Sequence, residues 1–201
     1  MMRRVVGVVG VVVVSAGVLA GCTAPAVEPS PSPSVSVSPS ASASPTPTLS
    51  AEERLLAQIP EEAKGDDLLA AVEMAKFFLN LQPGLFKGDD PALVRFLSMD
   101  ECSFCEAEIA RAQEVMATRG IQVGGDYTFS TSPPDSVLDT ETDNTTTALV
   151  GFNFIEGPID FVDEDGTVLE SLPRGGEWRA ALALRFVDGL WRVYGWEVRS
   201  N

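Results

Sequence analysis

The stretch of sequence that decides the fold is residues 177–200, EWRAALALRFVDGLWRVYGWEVRS. Apolar and polar residues alternate on both sides of Asp188-Gly189. An Asp-Gly pair between two alternating runs is typical of a β-hairpin with a two-residue turn. We therefore predict two long antiparallel strands, over residues 177–187 and 190–199.

The turn fixes the register of this hairpin. Val187 then opposes Leu190 and Phe186 opposes Trp191, so one face is predicted to point into the core and the other away from it. The predicted core face carries Trp178, Ala180, Leu182, Leu184, Phe186, Trp191 and Val193. The opposite face carries Arg179, Ala181, Ala183, Arg185, Arg192, Tyr194, Trp196 and Val198.

The opposite face is a candidate interaction surface, with Arg185, Arg192, Tyr194 and Trp196 as its distinctive residues. Arg185 faces Arg192 in the predicted register, and like charges in that position destabilise a sheet unless an anion lies nearby. We expect that anion to be an internal carboxylate or part of a second subunit. Aromatic side chains among small residues are typical of contact surfaces. The alternative is that a loop or helix covers this face.

The region before the hairpin divides into helices followed by strands. Apolar residues at helical spacing predict long helices over residues 66–81 and 103–119, with short ones at 51–58 and 91–97. Pro83-Gly84 is expected to end the first long helix. Residues 121–130, 145–156, 159–162 and 167–169 are expected to be strands. Helices followed by antiparallel strands predict one α+β domain over residues 51–201.

The first 50 residues have the pattern of an exported lipoprotein. Arg3 and Arg4 precede an apolar run over residues 5–18, which is typical of a signal peptide and is shorter than the roughly 20 residues of a spanning helix. The segment from Leu19 to Cys22, LAGC, resembles the bacterial lipobox, which implies cleavage after residue 21 and attachment of a diacylglyceryl group to Cys22. The Pro/Ser/Thr-rich residues 22–50 are expected to form a disordered tether. We expect a lipid-anchored protein on the extracytoplasmic face of the cell membrane.

The charge of the chain argues against several classes of partner. Removal of residues 1–21 takes away Arg3 and Arg4, and leaves 12 basic against 29 acidic side chains, a net charge of −17. Such a protein is not expected to bind nucleic acid, because that affinity depends on Lys and Arg. It is also repelled by an anionic bilayer. The membrane contact is therefore expected to run through the lipid on Cys22.

The sequence contains no histidine, which excludes His-dependent triads and His-ligated metal sites in this chain. We predict no metal, no cofactor and no established catalytic set. The one named candidate for acid–base chemistry is Glu197, which the predicted register places on the core-facing side of the last strand. The alternative is that Glu197 reaches solvent or pairs with an arginine.

Cys102-Ser103-Phe104-Cys105 is the motif with the most chemical promise. It begins a predicted helix, where the helix dipole lowers the pKa of a thiol. It lacks the preceding strand of thioredoxin-like enzymes, however, and acidic neighbours oppose a low thiol pKa. Outside the cytoplasm a close pair of cysteines is more often a structural disulfide. We favour a Cys102–Cys105 disulfide, with thiol-redox chemistry as the alternative.

Residues 59–125 resemble an uncharacterised family of actinobacterial lipoproteins. The resemblance rests on IPEEA at residues 59–63, AKFF at 75–78, the pattern L-S-x3-C-x2-C at 97–105 and the pair Gly124-Gly125. Helices before a long antiparallel sheet also resemble the nuclear transport factor 2-like fold, a curved sheet closed by N-terminal helices into a cone. The resemblance implies that fold and no particular activity, because its members include enzymes, ligand binders and dimerisation modules.

Taken together, these patterns predict a non-enzymatic module. It would bind a partner protein, a second copy of the chain, or a small apolar ligand inside the cone. The alternative is a small cell-envelope enzyme or a thiol-redox protein that uses Cys102 and Cys105. One structural feature bears on the choice: the space between helices and sheet is either an open pocket or filled by Trp178, Phe186 and Trp191.

Overall fold

The fold is taken from a computed structural model that describes residues 49–131, 134–140, 145–173 and 175–200. The predicted signal peptide, Cys22 and nearly all of the predicted tether lie outside the described residues. Within those residues, no helix is both long enough and apolar enough to cross a membrane.

Helices come first in the described chain. They are α1 (Ala51–Leu56), a 3-10 turn (Glu61–Ala63), α2 (Leu68–Lys87), α3 (Ala92–Leu97) and α4 (Ser103–Arg119). A capping box begins α1: the Glu53 N–H donates to Ser50 Oγ, and the Ser50 N–H donates to the Glu53 carboxylate. Asp67 begins α2 in the same way, by accepting a hydrogen bond from the Ala70 N–H at 2.8 Å.

Helix α2 continues beyond the position where the sequence predicted its end. A proline inside a helix removes a backbone hydrogen bond and costs about 3 kcal/mol. Pro83 is nevertheless buried within α2, and Leu85 is buried in the following turn. Burial of this apolar segment offsets the local cost, so the helix ends only at Gly88, whose φ of 91° is left-handed.

Strands follow the helices and form two antiparallel sheets in the described residues. They are β1 (Ile121–Gly124), β2 (Tyr127–Phe129), β3 (Asp135–Thr140), β4 (Thr146–Glu156), β5 (Ile159–Val162), β6 (Val168–Leu172), β7 (Glu177–Val187) and β8 (Leu190–Ser200). The large sheet has the order β2-β4-β7-β8, with β3 also paired to β4. The small sheet has the order β1-β5-β6. The predicted α+β class is confirmed.

The predicted strand over residues 121–130 is in fact two strands in different sheets. Gly124 and Gly125 have φ values of 81° and 75°, and the Gly125 N–H donates to the Pro158 carbonyl at 2.8 Å. The chain passes from the small sheet to the large one at this point. Strand β3 was not predicted, because its sequence DSVLDT shows little alternation and is almost entirely exposed.

The predicted register of the last hairpin is correct near the turn. Asp188 and Gly189 both have positive φ, and Phe186 pairs with Trp191. The register then shifts, because Leu184 pairs with Val193 whereas Ala183 pairs with Gly195. Tyr194 is the extra residue of a β-bulge.

This bulge reverses the orientation of the rest of β8. Trp196 pairs with the fully buried Leu182 and is itself only 9% exposed, so its predicted place on the interaction surface is wrong. Glu197 pairs with Ala181 and is exposed, so its predicted core-facing position is wrong as well. Both errors have one cause, since a shift of one residue moves every later side chain to the other face.

The hydrophobic core lies between the helices and one face of the large sheet. Along β7, Ala180, Leu182 and Leu184 are fully buried, whereas the residues between them are partly exposed. Other large side chains that are buried almost completely are Met74, Phe78, Leu79, Leu97, Ile109, Val150, Trp191 and Val193. Trp178 and Phe186, predicted for the same face, are half-buried.

Candidate functional site

An open pocket of about 330 Å³ lies between helices α2 and α4 and the two sheets. We call it the helix–sheet pocket. Its size is at the lower end of the range for small-molecule sites in proteins. Trp178 lines this pocket, whereas Phe186 and Trp191 do not, and their rings contact each other at 5.2 Å. Part of the space between helices and sheets is therefore open, beside the filled core.

Helix α4 contributes a continuous stripe of side chains to the pocket. The stripe consists of Phe104, Glu108, Arg111, Val115 and Arg119. Their spacing of four, three, four and four residues places them on one side of the helix. This stripe lies beside the core stripe formed by Cys105, Ile109 and Ala112. The helix thus buries one face and presents an adjacent, mixed face to the pocket.

The large sheet contributes mainly aromatic side chains. Phe154 and Glu156 are two residues apart on β4 and so point to the same face. Tyr127 of β2 pairs with Glu156, and its ring centroid lies 4.5 Å from that of Phe154. Across the pocket, the Phe104 ring meets the Trp196 ring edge-on at 4.7 Å. The Tyr127–Phe154 contact thus forms part of the wall opposite α4, and the Phe104–Trp196 contact joins α4 to the sheet.

Seven of the chain's 15 aromatic side chains line the helix–sheet pocket. They are Phe86, Phe104, Tyr127, Phe154, Phe161, Trp178 and Trp196. Rings on several sides favour a ligand with a flat or apolar body, because such a ligand buries apolar surface and makes ring contacts together.

Two acidic side chains lie in this aromatic setting. Burial raises the pKa of the Glu156 carboxyl group, against the opposing effects of a hydrogen bond from the Trp178 indole and of the Arg111 charge. Glu108 lines the same pocket, and its side chain is only 12% exposed. Burial also raises the pKa of the Tyr127 hydroxyl well above its ordinary value, the charges of Glu156 and Glu108 raise it further, and the charge of Arg111 lowers it. Both acids of the pocket therefore act on Tyr127, with Arg111 opposing them.

The two arginines of the pocket are already engaged. Arg119 donates to Glu170 at 2.7 Å, and its guanidinium group lies 4.1 Å from the centroid of the Phe161 ring. Arg111 lies 3.4 Å from the Glu108 carboxylate, while its own side chain is 66% exposed. The positive charges therefore lie at the rim or against other acids.

The candidate interaction surface contains three of the four predicted residues. Arg185 lies 3.5 Å from the Glu101 carboxylate and 4.9 Å from the centroid of the Tyr194 ring. Arg192 lies 5.1 Å from the centroid of the Phe96 ring of α3. The expected internal carboxylate is thus Glu101, and α3 covers part of this edge of the sheet.

The remaining predicted residues lie away from the helix–sheet pocket or at its edge. Glu197 is on the exposed face of β8 and forms an ion pair with Arg199 at 2.9 Å. Cys102 and Cys105 form a disulfide with Cα atoms 5.3 Å apart, and both residues are buried, at 2% and 1% exposure. Phe104, between them, reaches the pocket.

Sequence reasoning missed Glu108, Glu156 and Tyr127 as site residues. A signal for two of them was present. Glu156 follows Phe152 and Phe154 at the alternation of a strand, and Glu108 lies four residues after Phe104 on the same side of α4. Tyr127 gave no such signal, because the predicted strand over residues 121–130 was continuous and did not end at Gly124-Gly125.

No protein family and no curated protein matches the sequence. Solved structures with similar folds exist. The intermembrane space region of the chloroplast protein ARC6 has a TM-score of 0.50 at 15% identity, covering 67% of this chain and 98% of that one. Aln2 from a Streptomyces species has a TM-score of 0.36 at 14% identity, covering 63% of this chain and 87% of that one. A putative calcium/calmodulin dependent protein kinase II association domain from Xanthomonas campestris has a TM-score of 0.35 at 10% identity, covering 64% and 86%. The likeness to the ARC6 region concerns the fold alone.

Proposed function

We propose that this chain is an extracytoplasmic lipoprotein, anchored to the cell membrane through Cys22, whose folded domain binds a small ligand with an apolar body. The domain would be a nuclear transport factor 2-like cone, and the ligand would occupy the helix–sheet pocket. The observation that carries this proposal is an open pocket with aromatic walls and a few polar groups directed into it. Such pockets are the usual form of small-molecule sites.

The positions of the two cysteines and of Glu197 favour ligand binding over thiol or acid–base chemistry. Cys102 and Cys105 are joined in a buried disulfide, and exchange with a partner thiol requires access to a sulfur atom. A structural role at the start of α4 fits this burial better than redox cycling. Glu197, the earlier acid–base candidate, lies outside the pocket.

The membrane anchor is supported by the sequence from Arg3 to Cys22. Replacement of Cys22 with Ser removes the thiol that would carry the acyl chains. The variant is exported behind a signal peptide whose cleavage does not depend on lipidation, because an unprocessed chain would keep the apolar residues 5–18 in the membrane. We then expect the Cys22→Ser chain to leave the membrane fraction, because the acidic domain has no electrostatic attraction to an anionic bilayer. A Cys102→Ser, Cys105→Ser double variant with its own signal peptide should remain with the membranes. A processed, unlipidated Cys22→Ser chain that stays in the membrane fraction would contradict the anchor.

Ligand binding is tested with a neutral fluorescent dye, N-phenyl-1-naphthylamine, on the full chain that remains after removal of residues 1–21, carrying Cys22→Ser. The dye fluoresces when it enters an apolar site, and we expect saturable binding. Val115 lines the pocket, so Val115→Trp should fill part of it and weaken dye binding by about tenfold, which corresponds to roughly 1.4 kcal/mol.

The matched control is Ala117→Trp, which adds the same side chain to an exposed position of α4. It should leave dye binding unchanged. Thermal unfolding of both variants establishes that each is folded. Equal dye binding by folded Val115→Trp and Ala117→Trp, or no saturable binding at all, would overturn the proposed function.

A further inference from the structure

The polar groups of the helix–sheet pocket indicate the chemistry of its ligand. Glu156 is partly buried, and within the described residues its carboxylate has no basic group within ion-pairing distance. The indole of Trp178, a neutral group, donates a hydrogen bond to it. The charge of Arg111 opposes the effect of burial on the pKa of Glu156 without outweighing it. A partly desolvated carboxylate with a neutral hydrogen-bond partner is stabilised further by a cation in direct contact.

Glu108 adds a second acidic group on the opposite wall. Its side chain is more deeply buried than that of Arg111, the arginine that approaches it, at 12% against 66% exposure. Arg111 Nη1 donates to both oxygens of the Glu108 carboxylate, at 3.5 and 3.4 Å, and these distances are long for charge-assisted hydrogen bonds. Arg119 does not compensate either acid, because it is bound to Glu170.

The aromatic walls complement the same kind of ligand. Trp178 and Trp196 contribute indole rings to the pocket, and Tyr127 and Phe154 contribute smaller ones. The face of an aromatic ring attracts a cation, most strongly for tryptophan, and more so when water is excluded. Rings and carboxylates thus act together on a positively charged group that has an apolar body.

We propose that the ligand of the helix–sheet pocket is an organic amine, with its cationic nitrogen between Glu156 and Glu108 and its apolar body against the aromatic walls. This inference rests on the proposed function, because it names the ligand class of the same site. Tyr127 supports it as well: burial is the main cause of the raised pKa of its hydroxyl group, and the charges of Glu156 and Glu108 add to that rise against the opposing charge of Arg111.

The test uses three probes in which two methylene groups join a phenyl ring to a polar group. They are 2-phenylethylamine, 2-phenylethanol and 3-phenylpropionate, which are cationic, neutral and anionic at about pH 7. Their affinities for the full chain carrying Cys22→Ser are measured by displacement of the neutral dye. We expect the amine to bind about tenfold more tightly than the alcohol, and the carboxylate most weakly. Added salt should weaken binding of the amine and leave the alcohol unaffected.

Isosteric variants locate the charge effect. Glu156→Gln and Glu108→Gln should each reduce affinity for the amine by about tenfold and change affinity for the alcohol by less than about twofold. Glu114→Gln is the matched control, because Glu114 is an exposed acid on the same helix as Glu108. It should leave all three affinities unchanged.

The outcomes separate this inference from the proposed function. If the amine and the alcohol displace the dye equally well, or the carboxylate binds best, the amine is excluded and the pocket stands as a binding site. The same holds if the dye binds and none of the three probes displaces it. If Glu114→Gln weakens amine binding as much as the pocket variants do, the preference reflects the overall charge of the domain, and the assignment to this pocket is wrong. If the dye itself does not bind, the proposed function fails and this inference fails with it.

Discussion

The two faces of the large sheet differ in how far their charged side chains are buried. The inner face, towards the helices, buries Leu182, Leu184 and Trp191 completely and ends in a pocket where two acids lie among aromatic rings. The outer face carries several exposed ion pairs, among them Arg179 with Asp135. The same strands supply both faces through alternate residues. The inner side thus places two partly buried acids where a ligand can be enclosed, whereas the Arg179–Asp135 pair of the outer face is exposed.

The outer face has few features that favour a ligand. Its pairs, including Arg185 with Glu101 and Glu197 with Arg199, are largely exposed, and exposed ion pairs contribute about 0–1 kcal/mol. It also carries exposed apolar side chains where Val137 and Leu149 pair, at 62% and 54% exposure. A protein partner or second subunit at this face remains a proposal.

The comparison between the faces yields predictions that we give from the largest expected effect to the smallest.

The largest effect concerns core residues of the inner face. Trp191 is fully buried, so Trp191→Ala leaves a cavity and should lower the free energy of unfolding by about 3–5 kcal/mol. Glu197→Ala removes an exposed ion pair on the outer face and should change it by less than about 0.5 kcal/mol. Urea unfolding measures both. Similar losses in the two variants would contradict the assignment of the faces after the bulge.

The second effect concerns the junction of the core with the pocket. The disulfide closes a very short loop, because only two residues separate Cys102 from Cys105. The chain-entropy model then gives about 2 kcal/mol of stabilisation. A Cys102→Ala, Cys105→Ala double variant should lose about that amount, and dye binding should weaken because Phe104 belongs to the pocket wall. Reductant present during urea unfolding reaches the sulfur atoms once the chain unfolds, so it should lower the stability of the wild-type chain similarly and leave the double variant unchanged. A double variant of undiminished stability would contradict the structural role.

The smallest effect is the pH dependence that Glu156 introduces. Burial raises the pKa of this carboxyl group above its ordinary value of 4.5, so the folded state holds its proton more tightly than the unfolded state. As pH rises through the interval from the ordinary to the raised pKa, the wild-type chain loses stability. Glu156→Gln cannot ionise and should not show this loss. Its stability relative to wild type should therefore increase with pH and level off above the raised pKa.

Urea midpoints measured between about pH 4.5 and 8 check this expectation. Glu114→Gln serves again as the control, because its carboxyl group is exposed on α4. Its pH profile should run parallel to that of the wild-type chain. A parallel profile for Glu156→Gln would show that this group ionises normally in the folded protein.

The bulge in β8 shows how far the sequence could be used to predict the fold. Asp188-Gly189 specified the hairpin and its first pairs, because turn chemistry acts locally. The large apolar residues of β8 then fall at 191 and 193, and again at 196 and 198, with Gly195 in the gap. A glycine at a break in the alternation is a signal for a bulge. With a bulge predicted at this position, Trp196 falls on the inner face of the large sheet and Glu197 on the outer face.

The pocket could be predicted less well from the sequence than the hairpin. Its lining residues extend from Pro83 to Val198 and come from two helices and both sheets. Local patterns indicate which side of each element is buried, but not how the elements meet. The division of the predicted strand at Gly124-Gly125 into two sheets decides which side chains surround the pocket, and it depends on pairing with β4 and β5, which are distant in sequence.

The three tryptophans of the chain allow the most direct test of the central claim. Trp178 and Trp196 line the helix–sheet pocket, whereas Trp191 is buried outside its lining. The measurement is a titration of the full chain carrying Cys22→Ser with N-phenyl-1-naphthylamine, in which the indole N–H resonances are followed by NMR. A ligand in the pocket should shift the signals of Trp178 and Trp196 and leave that of Trp191 nearly unchanged. If Trp191 alone shifts, or if none of the three signals moves while the dye saturates, the helix–sheet pocket is not the binding site.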